Sequence, residues 1–240
     1  MRIYNELADW YPLVTPLGDY RDEAPAYRDI LLGALGPGRH VLLELGCGAG
    51  HNAHWMQDAF DLTLVDAAPA MLAHARRNCP HARCLVGDMR TVRLGRTFDA
   101  VFVHDAIAYM ATEADLRALM ATVAVHLRPG GAALLAPDHT TETFTPGTDH
   151  EAHDDGDRAL SYLECTWQRP GRPNEVVVDF VMAMRTGEAE PVLAQDRHVF
   201  GLFPRAQWMA LLAEAGLEPR PCPHVDPDFA TPLLAIRREV

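Results

Sequence analysis

Val41-Leu42-Leu43-Glu44-Leu45-Gly46-Cys47-Gly48-Ala49-Gly50 is the stretch that decides the fold. An apolar run around a single acid reads as a buried strand, because a strand covered on both faces needs no alternation. Three glycines at alternate positions then turn the chain, and His51 to Phe60 carries a helical pattern. Glycine is required where the backbone takes positive φ or presses close to a ligand. Strand, glycine turn and helix together form the cofactor end of a doubly wound sheet, whose ligands sit outside the carboxyl ends of the strands.

The glycine spacing narrows the ligand. A dinucleotide fingerprint needs a small residue three positions after its second glycine. Here that position is His51, too large for close helix–strand packing. No lysine follows the glycines, and the whole chain has none, which excludes a phosphate-cradling P-loop. Downstream, Leu62 to Asp66 reads as a second strand ending in an acid 20 residues after Gly46. An acid at that distance accepts ribose hydroxyls in doubly wound folds. A third strand, Arg83 to Val86, runs into Gly87-Asp88-Met89-Arg90, and a fourth, Thr97 to Val103, into His104-Asp105. Thr112-Glu113-Ala114-Asp115 is a capping box opening an amphipathic helix, and Pro129-Gly130-Gly131 precedes a fifth strand, Ala132 to Ala136.

The acid-x-Gly-x-Gly-x-Gly pattern resembles motif I of class I S-adenosylmethionine (SAM) methyltransferases. Asp66, Gly87-Asp88-Met89, Phe98-Asp99-Ala100-Val101 and Pro129-Gly130-Gly131 follow in that family's order. The resemblance implies a Rossmann-like α/β fold: a seven-stranded, mostly parallel sheet with helices on both faces. It implies SAM as cofactor and S-adenosylhomocysteine as product. Cofactor contacts are then expected from Glu44, Gly46, Gly48, Gly50, Asp66, Ala67, Met71, Asp88, Met89 and His104. Asp66 is expected on the ribose and Asp88 on the adenine amine, with Met89 over the ring.

Residues 1–36 carry two helical patterns broken at Pro16 and Gly18, and are expected to form a lid. From Ala159 to Phe203 the period switches to two, with a turn at Pro170-Gly171-Arg172-Pro173-Asn174. Strands inserted at this point resemble the accessory sheet of aminosugar N-methyltransferases, which covers the pocket and supports a dimer. The expected organisation is a lid over 1–36, a core over 37–156 and 204–240, and an inserted antiparallel sheet over 157–203. Residues 137–156, rich in His and Asp, read as a solvated or substrate-covering loop; no metal is expected there, since no two histidines share a confident helix face.

Methyl transfer needs collinear reactants, and a base where the acceptor must lose a proton. Topology gathers His104, Asp105, Tyr109, Asp138 and His139 near the reacting point. His104 and His139 are the expected bases because imidazole titrates near neutrality. Tyr109, and Tyr11 or Tyr4 from the lid, are expected in the substrate pocket. Glu164, Trp167, Arg158 and His198 are the inserted-sheet residues that can face it.

Bulk properties agree with a small-molecule acceptor. The chain has 240 residues and a net charge of −12, which disfavours nucleic acid and anionic membranes. Five cysteines without a CxxC pair give no disulfide framework or zinc site. No run reaches a membrane span, and a cytoplasmic enzyme is expected. The acceptor is expected to be a small hydrophilic metabolite of secondary metabolism, methylated on O or N. The alternatives are a SAM-binding cyclase or lyase, a non-catalytic SAM-binding protein, and a nicotinamide oxidoreductase.

Overall fold

The computed structural model describes residues 1–239. The glycine-rich stretch follows β1 (His40–Leu45) and enters α3 (His51–Met56), with β2 (Phe60–Asp66) returning beside β1. α1 (Tyr11–Val14) and α2 (Glu23–Leu35) precede them. α4 (Pro69–Asn78), β3 (Arg83–Val86), β4 (Phe98–His104), α5 (Glu113–His126) and β5 (Leu127–Ala136) follow. After an inserted sheet, α6 (Arg205–Glu214), β10 (Leu217–Arg220) and β11 (Leu233–Arg237) complete the core. The seven strands run in the order β10-β11-β5-β4-β1-β2-β3. β1 to β5 pair in parallel, and β11 is antiparallel to both neighbours. The order reverses at β1, between β2 and β4, so the crevice opens there.

Alternation along β1 sorts side chains to the two faces. Leu43 and Leu45 join Val101, Leu116, Leu119, Trp208 and Leu212 under α5 and α6. Leu42 joins Leu64, Phe102, Tyr27, Leu31, Met56 and Leu72 under α2, α3 and α4. At the start of α5 the Thr112 hydroxyl accepts from the Asp115 N–H at 3.1 Å, closing the expected capping box. Two expectations shift. The Pro129-Gly130-Gly131 turn is absorbed into β5, where pairing with β4 slips in register between Phe98 and Ala100. The helix expected from His51 to Phe60 ends at Met56.

The second sheet is antiparallel, in the order β6-β7-β8-β9, and comprises β6 (Gly147–Asp154), β7 (Arg158–Gln168), β8 (Glu175–Thr186) and β9 (Val192–Gly201). β6 corrects the reading of 137–156 as a loop: Asp149, His150 and His153 lie on a strand paired to β7 residue for residue. Its side chains are almost all exposed, so no apolar alternation marks it; backbone pairing with β7 alone makes it a strand. The accessory sheet therefore begins at Gly147, before the expected boundary at 157. Its inner face (Leu160, Met182, Met184, Ala194) packs on Ile3, Leu13 and Val14. The amino-terminal segment is thus clamped beneath it, with the Ile3 N–H on Asp196, Arg158 on the Asp9 carbonyl and His153 on the Leu13 carbonyl. At the other end, a Cβ on Gly201 would lie 2.1 Å from the Met110 carbonyl oxygen, so only glycine lets β9 meet the loop after β4. Among the described residues no helix is long and apolar enough to cross a membrane.

Candidate active site

The glycine loop is built by the end of the neighbouring strand. Gly46 and Cys47 donate their N–H groups to the Val65 carbonyl, and the Gly48 N–H donates to Asp66 Oδ2 at 2.8 Å. Asp66 Oδ1 accepts the Ala68 N–H at 2.8 Å. Gly46 and Gly48 hold φ of 72° and 52°, conformations that L side chains resist. A Cβ on Gly46 would lie 2.4 Å from Ala106 Cβ and 2.6 Å from Met89 Cε, so the loop, the segment after β4 and the segment after β3 close on one another here. Above Gly48 the nearest atoms to such a Cβ are the Tyr11 hydroxyl and Met71 Cε, both 3.9 Å away. Gly50 is pressed against Ala75 and Cys79 instead, a packing role.

Two acids remain available to a ligand. Glu44 is 3% exposed, and its Oε2 has no hydrogen-bond partner. Burial, then the nearby Asp66 and Asp105 charges, push its carboxyl up to about 8. Asp66 keeps free lone pairs beside the two N–H groups that it accepts. Burial raises its pKa, and those N–H groups pull it back. Asp88 is differently placed: both oxygens receive Arg90, whose guanidinium also reaches Asp115 at 2.8 Å. Arg90 holds the Asp88 carboxyl below the usual carboxylate range. Ala67 is exposed at the loop rim. Met71 is buried against Ala8 and Ala49 under Tyr4 and Tyr11, a supporting position.

Beyond the loop lies an acidic cluster at the carboxyl end of β4. His104 Nδ1 sits 2.9 Å from Asp105 and its Nε2 3.5 Å from Glu23 of α2. Asp105 carries the one positive φ outside glycine among the described residues, 23°. Strained backbone of this kind concentrates at functional sites. Asp105 keeps 52% of its side-chain surface, yet the protein packed around it still pushes its carboxyl up. Asp138 faces Asp105, and burial followed by that neighbour's charge raises it strongly; the pair titrates as one unit. Burial lifts Glu23 to about 7, against the pull of His104. Glu164 of β7 is raised by burial too, and its charge reaches Asp138. His104 itself is held below the ordinary histidine range by burial.

Tyrosines close the other side. Tyr11 stacks on His51 at 5.6 Å and lies 5.9 Å from Tyr4. The Tyr109 hydroxyl is 2.9 Å from that of Tyr4 and 2.6 Å from His198 Nδ1. The structure therefore brings His104, Asp105 and Asp138 together, and Tyr4, Tyr11, Tyr109 and His198 together. His139 stands apart: Phe144 and Phe229 are its ring neighbours and its Nδ1 has no partner. Trp167 is turned to Asp179, and Arg158 to Asp155 and Trp10. Glu23 and Asp196 are site residues that sequence reasoning missed. Glu23 sits in a helix whose pattern explains it as surface, and Asp196 in a strand whose polar positions look solvated.

A family model described as a methyltransferase domain matches residues 42–131. A dTDP-3-amino-3,4,6-trideoxy-alpha-D-glucopyranose N,N-dimethyltransferase of Streptomyces venezuelae is 33% identical over 216 residues, 88% of this chain and 89% of its own. The crystal structure of Streptomyces venezuelae DesVI superposes with a TM-score of 0.85 at 27% identity, covering 96% of this chain and 98% of that one. SAM-bound CalS10, an amino pentose methyltransferase from Micromonospora echinaspora involved in calicheamicin biosynthesis, gives 0.78 at 28% identity, with 91% of each chain covered. The chain belongs to the class I SAM-dependent methyltransferases. Within that class it is similar to the aminosugar N-methyltransferases. SAM is the cofactor, and the open glycine loop with the unpartnered Glu44 fits it.

Replacing Asp66 by alanine is expected to weaken SAM binding by about 1.5–3 kcal/mol in calorimetry, since charge-assisted bonds and the Gly48 anchor are lost together. Glu44 gives a pH signature. Its folded-state pKa, about 8, lies above the ordinary value of 4.5, so ligand-free protein loses stability as pH rises from the lower value through the higher one. Ligand-free Glu44→Gln is expected to melt above wild type at pH values over 8, with the gap vanishing in acid, and to bind SAM more weakly.

Proposed function

We propose that this enzyme transfers the methyl group of SAM to the nitrogen of a small amino sugar, carried on a nucleotide. The observation that carries the proposal is the acid wall. Glu23, Asp105, Asp138 and Glu164 all have raised pKa values, and the charges acting on them are other carboxylates and His104. Carboxyl groups crowded in this way are relieved by a cation. An ammonium on a sugar supplies one, whereas a plain hydroxyl acceptor does not. Phosphates are repelled by the same wall, so the nucleotide end of such an acceptor would point away from it. The printed names of relatives at 33% and 30% identity, N,N-dimethyltransferases acting on dTDP-amino sugars, support the same reading.

When bound, SAM supplies an electrophilic methyl on a sulfonium. Glu44, Gly46, Gly48, Asp66, Asp88 and Met89 are the residues proposed to hold it, with Gly50, Ala67 and Met71 shaping the loop. Adenine's amine would join Arg90 on the Asp88 carboxylate. The part left to the acceptor side is orientation: Tyr4 and Tyr11 bound the acceptor from the lid, and Tyr109, His104, Asp105 and Asp138 from the strand ends of the core. Holding reactants in line supplies most of such an acceleration.

Incubation with SAM and dTDP-amino sugars is expected to yield S-adenosylhomocysteine and products heavier by one and then two methyl groups. Methylation of a deamino analogue at a hydroxyl, with amines left untouched, would overturn the nitrogen assignment.

A homodimer through the accessory sheet belongs to the proposal. Leu163 and Val181 pair across β7 and β8, and Leu193 lies on the same outer face; all three are exposed. Light scattering is expected to give twice the chain mass, falling to one chain in Leu163→Glu/Val181→Glu. A monomeric wild type would remove the dimer.

A further inference from the structure

Four side chains from three separate parts of the chain form one hydrogen-bonded line beside the acidic cluster. Asp196 and His198 share one face of β9, Tyr109 ends the short 3-10 turn after β4, and Tyr4 belongs to the amino-terminal segment. Asp196 Oδ2 lies 3.0 Å from His198 Nε2. His198 Nδ1 lies 2.6 Å from the Tyr109 oxygen, which lies 2.9 Å from the Tyr4 oxygen. The side chains of His198 and Asp196 are 2% and 6% exposed, so bulk water does not reach the imidazole. Phe180 and Phe200 flank the ring at 5.3 and 6.0 Å.

The partners fix where the protons sit. A carboxylate only accepts, so His198 Nε2 carries the hydrogen. A neutral imidazole has one N–H, so Nδ1 is left with a lone pair, and the Tyr109 hydroxyl donates to it. A hydroxyl has one hydrogen and rotates freely, so when Tyr109 turns its hydrogen from the Tyr4 oxygen to Nδ1, the 2.9 Å contact is kept by the Tyr4 hydroxyl donating, and the Tyr109 oxygen keeps a further lone pair. Asp196 is anchored independently by the Ile3 N–H at 2.9 Å and the Arg197 N–H at 3.1 Å, so the acid is rigid. Burial keeps His198 below the ordinary histidine range, with Asp196 pulling it back and the amino terminus pushing the same way as burial. The other charged or titratable groups facing the line are Tyr11, Asp105 and Asp138, which act on the two tyrosines.

We propose that this line is a proton relay, in which His198, oriented by Asp196, receives through Tyr109 the proton that the acceptor nitrogen sheds. The proposal rests on the amine-acceptor reading above. In the step, an acceptor N–H bond breaks and its electron pair stays on nitrogen. A new O–H bond forms at Tyr109 while the original Tyr109 O–H bond breaks and Nδ1–H forms. His198 becomes an imidazolium paired with Asp196. A carboxylate behind an imidazole sets its tautomer and stabilises its charged form. Neither imidazole expected from the sequence has this arrangement: His104 lies between two carboxyl groups, and His139 lies among phenylalanines. His198 and Asp196 are positioning residues acting through Tyr109, which alone of the three meets the acceptor.

The test uses His198→Gln, Asp196→Asn and Tyr109→Phe in the full-length enzyme, with a dTDP-amino sugar and saturating SAM. At pH 7 kcat is expected to fall roughly 100-fold or more in His198→Gln, the scale of a lost general base. The loss should shrink as pH rises and the amine deprotonates unaided, while SAM affinity and acceptor KM hold. His198→Gln/Tyr109→Phe should be no slower than either single variant, as for groups that act as a unit. An unchanged kcat, or a loss that is the same at every pH, overturns the relay. Nitrogen-15 spectra of the wild type test it without any acceptor: the Nε2–H tautomer of His198 is expected at pH 7, and an Nδ1–H tautomer or an imidazolium overturns it. Wild type that methylates hydroxyls only sinks the amine reading. Amine methylation by wild type, matched by His198→Gln, sinks the relay alone.

Discussion

The bond from the Gly48 N–H to the Asp66 carboxylate is the constraint on which the site depends. It ties the loop after β1 to the end of β2, across the strand pair that the parallel register fixes. With Gly46 and Cys47 held on the Val65 carbonyl, the loop adopts the positive φ values that only glycine takes readily. Ala106 and Met89 then close on Gly46, which fixes where the segments after β4 and β3 can lie. One carboxylate thus shapes the cradle from below while keeping lone pairs for a ligand above.

The acidic and aromatic cluster over that cradle is built from parts far apart in sequence. The core strands end in Asp105 and Asp138, and α2 contributes Glu23. The accessory sheet contributes Glu164 and His198, and the amino-terminal segment contributes Tyr4 and Tyr11. That segment is held from two sides, by Asp196 of the accessory sheet and by Ala49 of the glycine loop with Met71 of α4. The roof is therefore continuous with the floor, and the tyrosines are positioned as firmly as the strand ends. Raised carboxyl pKa values in such a cluster follow from enclosure and mutual repulsion, and they favour a positively charged guest.

Much of the core was legible. β1 to β5 carry long apolar runs punctuated by glycine and ended by acids, and those patterns are local. Asp66 was legible as the acid that ends β2, though its part in holding Gly48 was not, because the Gly48 N–H comes from a different strand-end. Asp88 was legible too, but not its capture by Arg90 and Asp115. β6 was illegible, since a strand with almost every side chain exposed has no hydrophobic period. His139 looked like a base because it follows a strand end. It stands one residue beyond Asp138, past the end of β5, where its ring packs on Phe144 and Phe229 instead.

The sequence by itself determined the doubly wound core, the glycine cradle and the acids at its strand ends, because each rests on near-neighbour backbone geometry and short-range periodicity. It also determined the acidic character of the chain. Only the tertiary structure decided which acid stands behind each histidine and which tyrosine His198 meets. Asp196, His198, Tyr109 and Tyr4 come together because β9 and the amino-terminal segment dock on the loop after β4. Such docking depends on packing between distant surfaces, which leaves no periodic mark in the chain.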